Sequence, residues 1–203
     1  MVRGASVRTV QASLPSDLQS LDSELAAVES DARSLVEGLD ERLGGWRAAA
    51  GSWSVAECLD HLAIANRLYL AAMRRAAAAA PERLRRGEAR PGLVGSWFVW
   101  TLEPPVKRIL KLPAPRSIRP HTAPPLAETF TAFLAAHHDA IAFLSDYATL
   151  DLAGIRFVNP FIRGVRFSLA TGLHVIASHE RRHLWQAWRV RRAAEQSSVA
   201  APA

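Results

Sequence analysis

Apolar residues recur along the chain at alternating spacings of three and four positions, which place them on one face of an α-helix. The first such stripe covers 18–39 and stops before Gly44-Gly45. Similar patterns cover 54–80, 126–148 and about 168–194. Four long helices without a strong strand pattern predict an all-α fold, arranged as a four-helix bundle.

The start of the second helix carries a local signal. Ser54 and Glu57 have the spacing of a capping box, in which each side chain bonds to the backbone of the other residue. Trp53 and Cys58 flank this box at the positions of a hydrophobic staple. We therefore expect the helix to begin directly after Ser54.

The segment between the second and third helices is rich in proline. Seven of the 12 prolines lie within 104–125. We expect a short apolar helix over 96–112, bent near Pro104-Pro105, and extended or loop structure over 113–125. Such a long crossover would shape a pocket or a contact surface. Its aromatic cluster, Trp97, Phe98 and Trp100, would favour self-association if it were uncovered.

Length and composition point to a single globular domain. The chain has 203 residues, of which 49% are hydrophobic and 22% charged. We assign 1–196 to one helical domain and 197–203 to a frayed tail. The single cysteine cannot form an internal disulfide. No secretory signal is visible. The most apolar run, 93–102, is too short to span a bilayer. We expect a cytoplasmic protein with no membrane partner.

A formal net charge of +6 raises the question of nucleic-acid binding. The basic residues are mostly arginines interleaved with Asp and Glu, and no nucleic-acid motif is present. The basic run at 181–192 is better explained as a solvated helix surface. We expect no nucleic-acid partner.

Histidines carry the clearest chemical signal. His179 and His183 are four residues apart on the last helix, so both imidazoles lie on one face and can reach one cation. Such a pair alone also occurs by chance. His61, one turn into the second helix, would add a ligand from another part of the bundle.

Three neutral imidazoles with open coordination positions are typical of catalytic zinc. Imidazole also suits nickel, iron and copper. We expect a divalent ion, zinc or nickel in the first place, with manganese or iron as alternatives.

Three further residues are candidates to support such ligands. Glu57 lies one turn before His61, although its capping role is a competing explanation, and Gln186 lies three residues after His183. Either side chain could accept a hydrogen bond from the second ring nitrogen of a ligand. His137 shares the apolar face of the third helix and would be a core histidine, a supporting group or a fourth ligand. We expect Glu180, which is next to His179 in sequence, to pair with arginines instead of supporting a ligand. His121 lies in the proline-rich segment, and its sequence context gives little indication of a role at the site.

Two segments resemble the DinB/YfiT-like superfamily. Residues 53–62, WSVAECLDHL, are similar to the WSxxExxxHL opening of the family's second helix. Residues 179–186, HERRHLWQ, are similar to its HxxxHxxQ signature on the last helix. The crossover region 93–125 is longer and richer in proline than the family pattern.

The resemblance implies an up-up-down-down bundle, in which His61, His179 and His183 hold a metal ion. Members of the family are often dimers, so the resemblance also implies a homodimer. Some members of the family transfer low-molecular-weight thiols to electrophiles, others resemble hydrolases or isomerases, and many have no known activity. Two functions therefore stay open: a metal-dependent enzyme acting on a small molecule, with a thiol as a possible cosubstrate, or a non-catalytic metal-containing module for dimerisation or ligand binding.

Overall fold

The computed structural model describes residues 14–105 and 115–200, and within them the chain is mainly helical, as the all-α prediction requires. The helices are α1 (Ser16–Val36), α2 (Glu41–Gly44), α3 (Val55–Ala78), α4 (Leu93–Leu102), α5 (Leu126–Asp146) and α6 (Leu169–Ala200). Four of them, α1, α3, α5 and α6, correspond to the four predicted stripes.

The capping box at the start of α3 is confirmed. The Ser54 hydroxyl accepts a hydrogen bond from the backbone N–H of Glu57 at 3.1 Å, and the Glu57 carboxylate accepts one from the backbone N–H of Ser54 at 2.9 Å. Arg47 adds an ion pair to Glu57. These contacts satisfy N–H groups that a helix start leaves unpaired, and they fix where α3 begins.

The long helices bury their predicted stripes against one another. Helix α3 packs on α5 and α6, and α1 packs on the same two helices. The α1 stripe contributes six buried residues: Leu18, Leu21, Leu25, Val28, Ala32 and Leu35. Because α3 and α6 are direct neighbours, histidines on their facing sides can meet.

A small β-hairpin lies between α5 and α6, although the sequence showed no strong strand pattern. Strand β1 (Arg156–Val158) pairs antiparallel with β2 (Arg166–Ser168), and Phe157 lies opposite Phe167. Each strand has only three residues, which is too short for an alternating pattern to be recognised. Both phenylalanines are buried, so the hairpin closes the core beside the start of α6.

The described part of the segment between α3 and α5 differs from its prediction. Helix α4 begins at Leu93 and ends at Leu102, whereas the sequence predicted a helix over 96–112; residues 106–114 lie outside the described residues. A short 3-10 helix at Arg116–Ile118 follows, with Ile118 buried. Helix α4 packs against α6.

The last helix extends beyond its predicted end near 194 and reaches Ala200; residues 201–203 of the expected tail lie outside the described part. In the described parts of the chain, none of the helices combines the length and apolar character needed to cross a membrane.

Candidate metal centre

Three histidines meet between α3 and α6. His61 comes from α3, and His179 and His183 come from consecutive turns of α6. One nitrogen of each ring lies within 4.8 Å of the corresponding nitrogens of the other two. The Nε2 atoms of His61 and His179 are 3.2 Å apart. The structure thus brings together the three residues that the sequence nominated.

The backbone of the segment between α4 and α5 fixes the tautomer of His61. Its Nδ1 lies 2.5 Å from the carbonyl oxygen of Ile118. Because a carbonyl oxygen only accepts hydrogen bonds, Nδ1 must carry the proton. The lone pair of His61 is therefore on Nε2, the nitrogen that faces His179.

Gln186 plays the corresponding part for His183. Its Oε1 lies 3.1 Å from His183 Nδ1, at the position that the sequence predicted for a supporting residue. With the amide in this orientation, Nδ1 donates and Nε2 keeps its lone pair. Two of the three rings are thus held by a hydrogen bond on the nitrogen away from the lone pair, as is usual for histidines that bind metal.

Burial keeps the cluster uncharged. It lowers the pKa of His61, and it lowers the pKa values of His179 and His183 well below 6.5. The neighbouring histidines and the Arg182 guanidinium depress the pKa values of His179 and His183 further. All three rings are therefore neutral at pH 7, which is the form that binds metal ions.

The donor set fits a divalent ion. Zinc–nitrogen bonds of about 2.0–2.1 Å in tetrahedral geometry place two ligand nitrogens about 3.4 Å apart. The separation between the Nε2 atoms of His61 and His179, 3.2 Å, is close to this value. The three ligand nitrogens together spread over up to 4.8 Å, so the widest pair would have to move closer when an ion binds. Across residues 14–105 and 115–198, no fourth His, Cys, Asp or Glu joins the cluster. The arrangement could hold a metal ion and leave a coordination position for another molecule.

Trp53 forms part of the wall of this site. Its ring centroid lies 4.8 Å from that of His61 and 5.7 Å from that of His183. The sequence indicated only a staple role for Trp53, because nothing in a local pattern shows that a residue before the helix reaches across to α6. The nearby Cys58 is buried, which raises the pKa of its thiol and makes it a poor nucleophile.

Glu57 does not support His61. Its carboxylate accepts hydrogen bonds from Ser54 and Arg47, so the capping role, which competed with the supporting role in the sequence, accounts for its contacts.

His137 also has a different role from a fourth ligand. It lies outside the cluster and bonds through Nδ1 to both carboxylate oxygens of Glu180, at 3.0 and 3.1 Å. Asn66 donates to the same carboxylate at 2.7 Å. All three side chains are buried. The expectation that Glu180 pairs with arginines was wrong, because its carboxylate faces Asn66 on α3 and His137 on α5.

One pair beside the site had no signal in the sequence. Asp60, the neighbour of His61, accepts hydrogen bonds from the backbone N–H of His121 at 2.6 Å and from its Nδ1 at 2.8 Å. The two residues are 61 positions apart, so no local pattern could have connected them.

Part of the basic run on α6 is neutralised by acidic side chains. Arg181 pairs with Glu24 and Glu103, and Arg191 pairs with Glu195. Arg182 donates to the carbonyl of Thr101 at 3.3 Å. Because of these contacts, the basic surface on α6 is smaller and more interrupted than the sequence alone indicates.

Comparison with known families places these residues in a wider context. A sequence model described as the DinB superfamily matches residues 24–187. The matched range contains all three histidines, Gln186 and the capping box. Searches of curated proteins and of solved structures find no match.

Proposed function

Because the chain belongs to the DinB superfamily and gathers three histidines at one point, we propose that it is a divalent-metal-dependent enzyme acting on a small molecule. We further propose that α1, α3, α5 and α6 form an up-up-down-down four-helix bundle, with the proline-rich segment as its crossover. The reaction would be transfer of a low-molecular-weight thiol to an electrophile, or hydrolysis of a small substrate.

The observation that carries this proposal is the number of ligands. Three protein ligands and an open position are typical of catalytic sites, whereas structural zinc sites have four. His137 was the candidate for closing the site, but it lies outside the three-histidine cluster, and its Nδ1 bonds to Glu180. A divalent ion at this position would act as a Lewis acid and lower the pKa of a water or thiol ligand.

The chain's own residues would orient the metal ligands and set the net charge of the site. Ile118 and Gln186 hold two rings in place from behind. Three neutral ligands do not reduce the positive charge of the ion, and Arg182 adds a further positive charge close to His179 and His183. The site therefore favours an anionic ligand such as a thiolate or hydroxide. Zinc and nickel suit three imidazoles best, with manganese and iron as alternatives.

The test is metal loading followed by turnover. Purified protein would be loaded separately with zinc, nickel, manganese and iron, and then assayed with a panel of small thiols and electrophiles, and with ester and amide substrates. We expect at least one ion to bind and to support turnover that a chelator removes. A protein that binds an ion but turns over no substrate in the panel would favour the non-catalytic metal-containing module. A protein that binds no ion would rule out both the enzyme and the metal-containing module.

The exposed apolar face of α4 favours a second proposal, that the chain forms a homodimer. The helix carries no charged residue, and its outer face exposes Leu93 (93%), Val94 (73%), Trp97 (58%) and Trp100 (55%). An exposed apolar patch of this kind is typical of an interaction surface. We propose that two copies of the chain meet through α4.

Sedimentation velocity tests this second proposal. We expect the wild-type chain to sediment as a dimer and Trp97→Ser to shift it toward the monomer. Leu84→Ser is the control, because Leu84 is 62% exposed but lies outside α4. A monomeric wild type at high concentration, or equal effects of both substitutions, would contradict the α4 interface.

A further inference from the structure

The crossover contacts α3 at two consecutive residues. Ile118 bonds to His61, and His121 bonds to the preceding Asp60. We propose that Asp60 and His121 act as a clamp that positions the Ile118 carbonyl on His61, so that the crossover segment sets the metal affinity of the site. This inference rests on the proposed metal site and adds positioning residues to it.

The clamp is built around a buried carboxylate. Asp60 is only 7% exposed, and a buried carboxylate requires hydrogen-bond donors to offset its lost hydration. His121 supplies two donors to Oδ2, at 2.6 and 2.8 Å, although its own side chain is 75% exposed. The ring of His121 is thus held to the protein mainly through Asp60.

The clamp restrains the short stretch that carries the carbonyl. Pro115 and Pro120 flank Ile118, and proline fixes one backbone angle at each position. The buried side chain of Ile118 anchors one end, and the Asp60–His121 contact anchors the other. With both anchors in place, the carbonyl stays within hydrogen-bond distance of His61 Nδ1.

Loss of that hydrogen bond would free the ring of His61. The proton could then move to Nε2, the nitrogen that faces His179, and the ring could rotate. Both changes disfavour metal binding, because binding needs the lone pair on Nε2 in a fixed orientation. Loss of such a partner behind a metal ligand typically weakens metal affinity about 10–100-fold.

The experiment measures metal affinity by competition with a chelator, using zinc and nickel ions on the full chain. His121→Ala removes the side-chain donor but keeps the backbone N–H contact to Asp60, so it should weaken binding about 10-fold, the lower end of the usual range. His121→Asn keeps an N–H group at nearly the position of Nδ1 and should stay within a few-fold of wild type. His138→Ala is the matched control, since His138 forms a similar pair with Glu29 at 3.0 Å and lies on α5.

Melting temperatures of the metal-free proteins separate positioning from folding. We expect His138→Ala to lower the melting temperature only slightly, because an exposed pair contributes little to stability. His121→Ala should lower it somewhat more, because it removes one of two donors from the buried Asp60 carboxylate, but the chain should stay folded at the temperature of the binding measurement. Wild-type affinity in His121→Ala would overturn the clamp. So would a His121→Asn variant as weak as His121→Ala, because the imidazole itself would then be required. A wild-type protein that binds neither ion would overturn the metal site as well, whereas the first two results leave it standing.

Discussion

At the scale of single residues, the hydrogen bond made by one imidazole nitrogen determines whether the other nitrogen has a lone pair for a metal ion. Ile118 and Gln186 hold Nδ1 of His61 and His183, which leaves Nε2 of both rings with a lone pair. The sequence identified Gln186, because a supporting residue three positions away on the same helix follows from helical geometry. It could not identify Ile118, because any residue type supplies a backbone carbonyl.

The buried His137–Glu180 pair provides a prediction about pH. Burial opposes protonation of His137, but the hydrogen bond and charge of Glu180, with a contribution from the charge of Glu29, outweigh it and raise its pKa above 6.5. A raised pKa in the folded state contributes stability that is fully present below pH 6.5 and is lost as the pH rises through the raised value.

We therefore expect Glu180→Gln to lower the free energy of unfolding by about 3–5 kcal/mol at pH 6, and by less at pH 9. Urea unfolding at both pH values measures this. The other histidines are the same in both proteins, so whatever they contribute to the pH dependence largely cancels in the difference. A loss that is the same at both pH values, or larger at pH 9, would show that His137 is not held in its protonated form.

At the scale of elements, the sequence predicted features that depend on neighbouring residues and missed those that depend on contacts between distant ones. The start of α3 followed from Ser54 and Glu57, which lie within one turn of each other. The β-hairpin was missed because its strands are stabilised by burial of Phe157 and Phe167 rather than by a pattern along the chain. The start of α4 was missed by three residues, since Leu93 and Val94 are exposed and give no periodic signal.

The contact between α4 and α6 gives a prediction at this scale. A side chain at Gly95 would meet Thr171 Oγ1 at 2.5 Å, and this threonine is held by a hydrogen bond to Ser168. Gly95→Ala should therefore push α4 away from α6 and cost about 1–3 kcal/mol of stability. Gly92→Ala is the control, because nothing lies within 4 Å of a side chain there. Equal thermal stability of the two variants would contradict this packing.

At the scale of the whole molecule, the site exists only when three parts of the chain assemble. Helix α3 supplies His61, α6 supplies His179 and His183, and the 3-10 helix between α4 and α5 supplies the Ile118 carbonyl. The sequence could nominate the histidines from their spacing and from the family motifs. It could not place the Ile118 carbonyl, because Ile118 is 57 positions from His61 and a proline-rich chain has no periodic pattern.

Because only the folded chain assembles the site, metal binding should stabilise the fold. A ligand at 100 times its Kd adds about 2.7 kcal/mol to the free energy of unfolding. We expect zinc or nickel at such a concentration to raise the melting temperature of the wild-type chain by several degrees. The His179→Ala/His183→Ala variant should melt at the same temperature with and without the ion, and an equal rise in both proteins would place the ion elsewhere.

Metal stoichiometry tests the central claim most directly. Wild-type protein and the His179→Ala/His183→Ala variant would be loaded with zinc or nickel, freed of excess ion and analysed by elemental mass spectrometry, with His138→Ala as the control. Three neutral imidazoles at one point predict one ion per chain in the wild type and the control, and none in the double variant. A wild type without metal, or a double variant that retains it, would contradict the assignment of His61, His179 and His183 as the ligands.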